Sequence, residues 1–159
     1  MNTLPGGELE GRRREVHRLA VEGRRAGIAR RVGQVLCQGW LAVSRFEEVR
    51  RVSSSTLSLG HDAGAFNDLG RALYATGDRA GALESYGQAL RLYRQVGDRA
   101  GEATTLNNIG SVHQARGDLD QALDLFGQAL PLHRQVGDRA GEATTLTDIG
   151  RVHRARGDR

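Results

Sequence analysis

Along the chain, apolar residues recur at three- and four-residue spacing, and the short runs between them, such as Trp40-Leu41-Ala42-Val43, never lengthen. Leu106, Ile109 and Val112 mark one amphipathic helix; after a break at Arg116-Gly117-Asp118, Leu119, Ala122, Leu123, Phe126 and Leu130 mark a second. The alternation that a half-buried strand needs is missing, so the pattern predicts an all-α chain. The break supplies a glycine able to end the first helix in the left-handed region, then an aspartate whose side chain can cap the next. Gln121, three residues on, would complete a capping box. Gly97-Asp98 and Gly137-Asp138 repeat the punctuation, and each reads as a tight helix-to-helix turn. Nearer the N-terminus, Ile28, Val32, Val35 and Leu36 predict a helix over about 24–37, with Gly23 separating it from a more polar helix near 8–22.

These helices repeat. Shifting the sequence by 40 lays Gln88–Gly110 over Gln128–Gly150 with 19 of 23 positions identical, including the unbroken RQVGDRAGEATTL at 94–106 and 134–146. The same shift lays Ala63…Phe66-Asn67-Asp68-Leu69-Gly70 over Ala103…Leu106-Asn107-Asn108-Ile109-Gly110, and Ala82-Leu83…Tyr86-Gly87-Gln88-Ala89-Leu90 over Ala122-Leu123…Phe126-Gly127-Gln128-Ala129-Leu130. A fixed period of this size is the mark of a helical solenoid. Trp40-Leu41-Ala42…Phe46…Val49 falls on Gly81-Ala82…Tyr86…Ala89, which predicts a helix over 39–53 from a decayed earlier unit.

These residues resemble the tetratricopeptide repeat, a helix–turn–helix unit with small residues where its two helices cross. Hydrophobe-Gly falls on Leu69-Gly70, Ile109-Gly110 and Ile149-Gly150 in the first helix, helix A; small, aromatic and small residues fall on Ala82, Tyr86, Ala89 and Ala122, Phe126, Ala129 in the second, helix B. The longer period is similar to the extended variety of kinesin light chains and of bacterial regulatory arrays. His113 and His153 depart from the family's usual Tyr, and Gly87 and Gly127 lie inside helix B, each at a cost of roughly 1 kcal/mol against Ala. The fold expected is an all-α solenoid of about two and a half repeats behind a degenerate helical segment. Residues 1–23 would form a basic, partly helical segment, 24–62 a degenerate helix pair and linker, 63–102 and 103–142 two full repeats, and 143–159 helix A of a third. That third unit runs out at Gly157-Asp158-Arg159, so Leu146, Ile149 and Val152 are expected to lack a covering helix. A fragment of a longer array, a partner, or self-association through this C-terminal helix would each account for it.

Composition changes this picture little. All 23 cationic residues are Arg, and the net charge of +4 arises in residues 1–60, with 11 Arg against 6 Glu. Arg12, Arg13, Arg14, Arg18, Arg24, Arg25, Arg30 and Arg31 spread around their helices without interleaved aromatics, so nucleic acid is not an expected partner. No run approaches the ~20 apolar residues of a membrane helix. No signal-peptide pattern precedes Gly11, and the single Cys37 fits a reducing compartment; a cytoplasmic protein without membrane contact is expected. His113, His133 and His153 follow half the repeat and lack i, i+4 ligand spacing. No metal site or cofactor is expected, and no P-loop, HExxH, GxSxG or CxxC motif points to an enzyme. The alternating acids and arginines (Arg79, Glu84, Arg99, Glu102, Asp118, Asp120, Asp124, Arg139, Glu142) read as a solvated face.

The resemblance instead implies recognition of a protein or peptide partner on a concave surface lined by helix A. The family's groove positions fall on Asn67, Asp68 and Arg71, on Asn107, Asn108 and Ser111, and on Thr147, Asp148 and Arg151. Asparagine both donates and accepts, which suits capture of an extended backbone. Asn108 matches an asparagine of the chaperone-binding members, but Asp68 and Asp148 stand where a carboxylate clamp needs neutral or cationic side chains. The expected function is a non-catalytic protein-interaction module. The alternative is a sensor or scaffold segment of a larger bacterial signalling or transcriptional regulator with a nucleotide-switch ATPase or protease-like domain, since the GDRAGEATTL wording resembles arrays that follow such domains.

Overall fold

A computed structural model describes residues 5–157. The described residues form eight helices and no strand, and the chain divides into two compact units between Asp78 and Arg79. That boundary falls inside the first predicted repeat, between its two helices.

The first unit holds α1 (Pro5–Glu22), α2 (Ala26–Ala42), α3 (Phe46–Leu57) and α4 (Ala63–Ala75). Each packs on the next, and α2 also touches α4. Leu36, Cys37, Trp40, Val49 and Ala72 form the core, flanked by Val32, Leu41, Phe46 and Val52. The predicted helix over 39–53 is corrected here, because Trp40 and Leu41 end α2 while Phe46 begins α3. Between them Ser44 takes a left-handed φ of 59°, and the Arg45 N–H closes the turn on the Trp40 carbonyl at 2.8 Å. Burial of the indole ends the helix, although no glycine or proline marks the spot. The earlier turn is built alike: Arg24, rather than neighbouring Gly23, takes the left-handed conformation.

A polar cross-link ties this unit together. Gly33 lets α2 approach so closely that a Cβ there would stand 3.0 Å from the Thr56 hydroxyl and 3.3 Å from the His17 ring. Thr56 donates its hydroxyl proton to the Val52 carbonyl, so its oxygen accepts from His17 Nε2–H at 2.9 Å. Burial lowers the His17 pKa and keeps the ring neutral. It pushes the Cys37 thiol up to about 12, against the hydrogen bond with Ser53, which leaves the cysteine an inert packing residue.

The second unit holds α5 (Arg79–Val96), α6 (Arg99–Arg116), α7 (Leu119–Val136) and α8 (Arg139–Arg156). Its turns follow the predicted punctuation: Gly97, Gly117, Gly137 and Gly157 all have positive φ. Asp98 and Asp138 accept from the Gly101 and Gly141 N–H groups. Asp118 differs, making no cap bond to α7, because its carboxylate turns back to His113 Nδ1 at 3.2 Å and Arg116 Nε at 3.5 Å. The capping box read at Asp118 is therefore not formed.

Phe126 is the pivot of the unit. Its ring lies where a Cβ on Gly110 of α6 would stand 2.6 Å from Cε1, and it shares a cluster with Ala122 and with Val152 of α8. The expectation that Leu146, Ile149 and Val152 are all uncovered is corrected accordingly. Val152 is fully buried and Ile149 packs at the margin of that cluster, since both face α7; Leu146 alone remains 46% exposed.

Candidate functional site

The positions expected to line a binding groove receive different treatment in the two units. In α4, Asn67 is half-buried and Arg71 exposed. Asp68 is only 7% exposed, and desolvation pushes its carboxyl up to about 7, Arg71 opposing and Asp62 assisting. A carboxyl held in this way is largely proton-bearing at mildly acidic pH and acts as a hydrogen-bond donor there.

In the second unit the groove residues are joined to one another. Asn107 on α6 accepts from Thr145 Oγ1 at 2.8 Å and donates through Nδ2 to Asp148 Oδ2 at 3.4 Å. Asp148 is buried to 7% exposure and takes a hydrogen bond from Arg151 NH1 at 3.1 Å. Ser111 donates to the Asn107 carbonyl at 3.0 Å, and Asn108 is half-buried beside it in sequence. Thr147 is exposed and bonds the Ala143 carbonyl at 2.8 Å. Asn107, read from the sequence as a free contact residue, is thus committed to the joint between α6 and α8.

Thr147, Asp148 and Arg151 also share an open cleft of about 280 Å³, with Ala143 and Thr144 completing its walls. The structure therefore brings together one cation, one buried anion and two hydroxyls on α8. Thr145, which holds Asn107, was not legible as part of this arrangement: fully buried, it reads as an ordinary helix residue until α6 is placed against it. A second cleft, of about 340 Å³, opens in the first unit between α1 and α3 over Trp40, Val21 and Val52, with Arg14, Arg18 and Arg51 on its rim. The cluster of arginines was the only sequence signal for it. Several of these cations are already engaged, Arg18 with Glu15 at 2.6 Å and Glu22 at 2.5 Å, Arg14 with Glu10.

The solvated-face reading also needs amendment at Glu102. This carboxylate is buried, held by Arg94 Nε at 2.8 Å and Arg99 NH1 at 2.9 Å; burial raises its pKa, but the two guanidinium groups outweigh it and the net shift is downward. Glu102 pins the end of α5 to the start of α6. Among the described residues no three His, Cys, Asp or Glu side chains gather as a metal site, and no helix is long and apolar enough to cross a membrane.

Comparison with known proteins agrees with this architecture. Two family models, both described as tetratricopeptide repeat, match residues 101–159 and 63–96, together more than half of the chain. No curated protein matches. Among solved structures, the chain is similar to BtubC (BKLC) from P. vanneervenii, with 19% identity and a TM-score of 0.76 over 95% of this chain and 69% of that one. It is also similar to a putative kinesin light chain from Podosopora anserina with nearly identical TPR-like repeats. A crystal structure of a point variant of that protein gives 14% identity and a TM-score of 0.62, covering 94% of this chain and 89% of the other; a second structure gives 16%, 0.61, 94% and 69%. With the repeat wording, the glycine-punctuated helix pairs and these matches in agreement, the chain belongs to the tetratricopeptide repeat family.

Proposed function

We propose that this protein is a non-catalytic interaction module that takes an extended peptide segment of a partner protein on the helix A surface of α6 and α8. Tetratricopeptide repeats are in general protein-interaction modules. The observation that carries the reading is the cleft lined by Thr147, Asp148 and Arg151. Arg151 bonds Asp148 through one nitrogen only, so its remaining N–H groups are available to a peptide carbonyl or carboxylate. Asp148, fixed by Asn107 and Arg151, offers a preorganised acceptor to a peptide N–H or a lysine. Asn108 and Ser111 extend the same polar character along α6. Preorganisation of this kind lowers the ordering cost of binding.

The test is selection of peptides from a random library on the immobilised chain, followed by anisotropy titration against the unaltered protein and its Arg151→Ala and Thr147→Ala variants. Arg151→Ala is expected to weaken the selected peptides by at least about ten-fold, with the helical circular dichroism unchanged. Peptides that bind the variant equally well would place the site elsewhere.

A further inference from the structure

The cleft between α1 and α3 in the first unit is set apart by what its charges leave over. Its lining runs from Arg14 to Glu22 on α1 and from Glu48 to Ser55 on α3, with Trp40 of α2 beneath, so it extends roughly 12 Å along the helices. Most of its charges are matched in pairs. Arg14 meets Glu10, Arg18 meets Glu15 and Glu22, and Glu48 meets Arg45. Arg14 and Arg45 also stand over the Trp40 ring, 4.9 and 5.4 Å from its centroid, so cations already occupy the indole's π surface. Arg51 is the exception. It is exposed, and among the described residues no carboxylate pairs with it and no hydrogen bond holds it. The cleft therefore carries one uncompensated positive charge.

The second uncommitted group is His17. Its ring lines the cleft, is 4% exposed, and turns Cδ2 and Nε2 toward Gly33, 3.3 Å from the place of a Cβ there. A chain of bonds fixes its tautomer. The Thr56 hydroxyl gives its proton to the Val52 carbonyl, so Nε2 carries the hydrogen that Thr56 accepts. Nδ1, on the opposite edge of the ring, is then a bare acceptor. Among the described residues nothing donates to it, and it is not sealed from solvent, so only a group entering the cleft can satisfy it. Arg51 stands near the same level: Glu10 meets Arg45 ahead of α3 and His17 meets Thr56 near its end, and Arg51 lies between these two links.

We propose that this cleft binds a small monocarboxylic acid with a one-ring apolar body and a hydroxyl donor. The carboxylate pairs with Arg51 by charge complementarity, the hydroxyl donates to His17 Nδ1, and the body rests on Val21, Val52 and the edge of Trp40. The volume of about 340 Å³ lies at the lower end of small-molecule sites, roughly 300–1,000 Å³. The length admits only about three residues of extended chain, so a free small molecule fits where a peptide strand does not. The site belongs to the first unit and the peptide cleft to the second, so each can fail alone.

The probe is 3-(4-hydroxyphenyl)propionate, titrated into the full chain by isothermal calorimetry, with nitrogen NMR of the histidine rings. Saturable binding is expected, and the His17 Nδ1 resonance should move while Nε2 keeps its proton. Replacing His17 would also break its bond to Thr56, so the acceptor is tested from the ligand side. The analogue 3-(4-methoxyphenyl)propionate lacks the donor and 4-ethylphenol lacks the carboxylate; each should bind at least about ten-fold more weakly. Arg51→Gln should weaken the parent acid by as much, with the melting temperature level. Arg50→Gln, outside the cleft and paired with Glu47, should leave affinity unchanged. Absence of saturable binding overturns the proposal, as does undiminished binding of the methoxy analogue or by the Arg51→Gln chain. An equal loss in Arg50→Gln would mean general attraction of anions to a basic surface and would overturn it too.

Discussion

The two units make the same helix-to-helix turn with different chemistry. In the second, the left-handed residue is glycine at Gly97, Gly117 and Gly137, and aspartate caps α6 and α8. In the first two turns of the first unit, the left-handed residues are Arg24 and Ser44, and the cap positions Arg25 and Arg45 make no side-chain cap bond; only its later turn into α4 has a glycine of positive φ, Gly60, and an aspartate cap, Asp62. A non-glycine residue in that conformation costs roughly 1–2 kcal/mol, and a missing cap about 1 kcal/mol. The first unit offsets this with bulk and with long-range polar links: Trp40, Leu36 and Val49 in one cluster, His17 bonded to Thr56, and Arg45 bridging Glu10 at 2.8 Å and Glu48 at 2.8 Å. The second unit relies on local punctuation and on close helix crossings over small residues. One architecture is thus held by tertiary contacts in one part and by turn chemistry in the other.

The contrast can be broken most sharply at Trp40. Trp40→Ala removes the centre of the first core, with an expected loss of about 3–5 kcal/mol in urea unfolding followed by circular dichroism. An equal change from an exposed position of the same unit, such as Val35→Ala in α2, would show that the core is not what holds the unit.

Asp68 gives a pH-dependent version. Its folded pKa of about 7 lies above the ordinary 3.8, so folding binds a proton, and the stability so gained is full below about pH 4 and lost as pH rises through 7. Asp68→Asn is expected to leave stability nearly unchanged at pH 4 and to raise it by up to about 3 kcal/mol at pH 8. Parallel pH profiles for the two proteins would rule out a neutral buried carboxyl. His17 acts with the opposite sign, since its lowered pKa makes its contribution fall as pH drops below its unfolded value.

In the second unit, Gly110→Ala should cost about 1–3 kcal/mol by forcing Phe126 aside, measured as a fall in urea midpoint at constant slope. Smallest are the turns. Arg24→Gly and Ser44→Gly should each stabilise by about 1 kcal/mol, whereas Gly117→Ala should destabilise by a similar amount. Like signs for all three in thermal melts would erase the distinction between the units.

The legibility of this protein in its sequence follows the same division. The 40-residue register, the signature of small and aromatic residues at the helix crossings, and every turn from Gly77 onward stand in the sequence because glycine and aspartate act within a few residues of themselves. The break at Val43-Ser44-Arg45 does not, because burial of Trp40 ends that helix against its local pattern. At the candidate site, the expected groove positions Thr147, Asp148 and Arg151 share a cleft, although Asp148 is buried. That Asn107 is a joint was not legible, since its partners Thr145 and Asp148 lie 38 and 41 residues away.

Sequence alone determined the helices from α4 onward, their period and their family, since periodicity, left-handed glycines and capping aspartates are local interactions written into adjacent residues. Tertiary structure decided which polar side chains are committed and which remain available: Asp118 drawn to His113, Glu102 buried between two arginines, Val152 covered and Leu146 left open. Those outcomes depend on what a neighbouring helix brings within hydrogen-bond or van der Waals distance, and near-identical repeats acquire different surfaces because their neighbours differ.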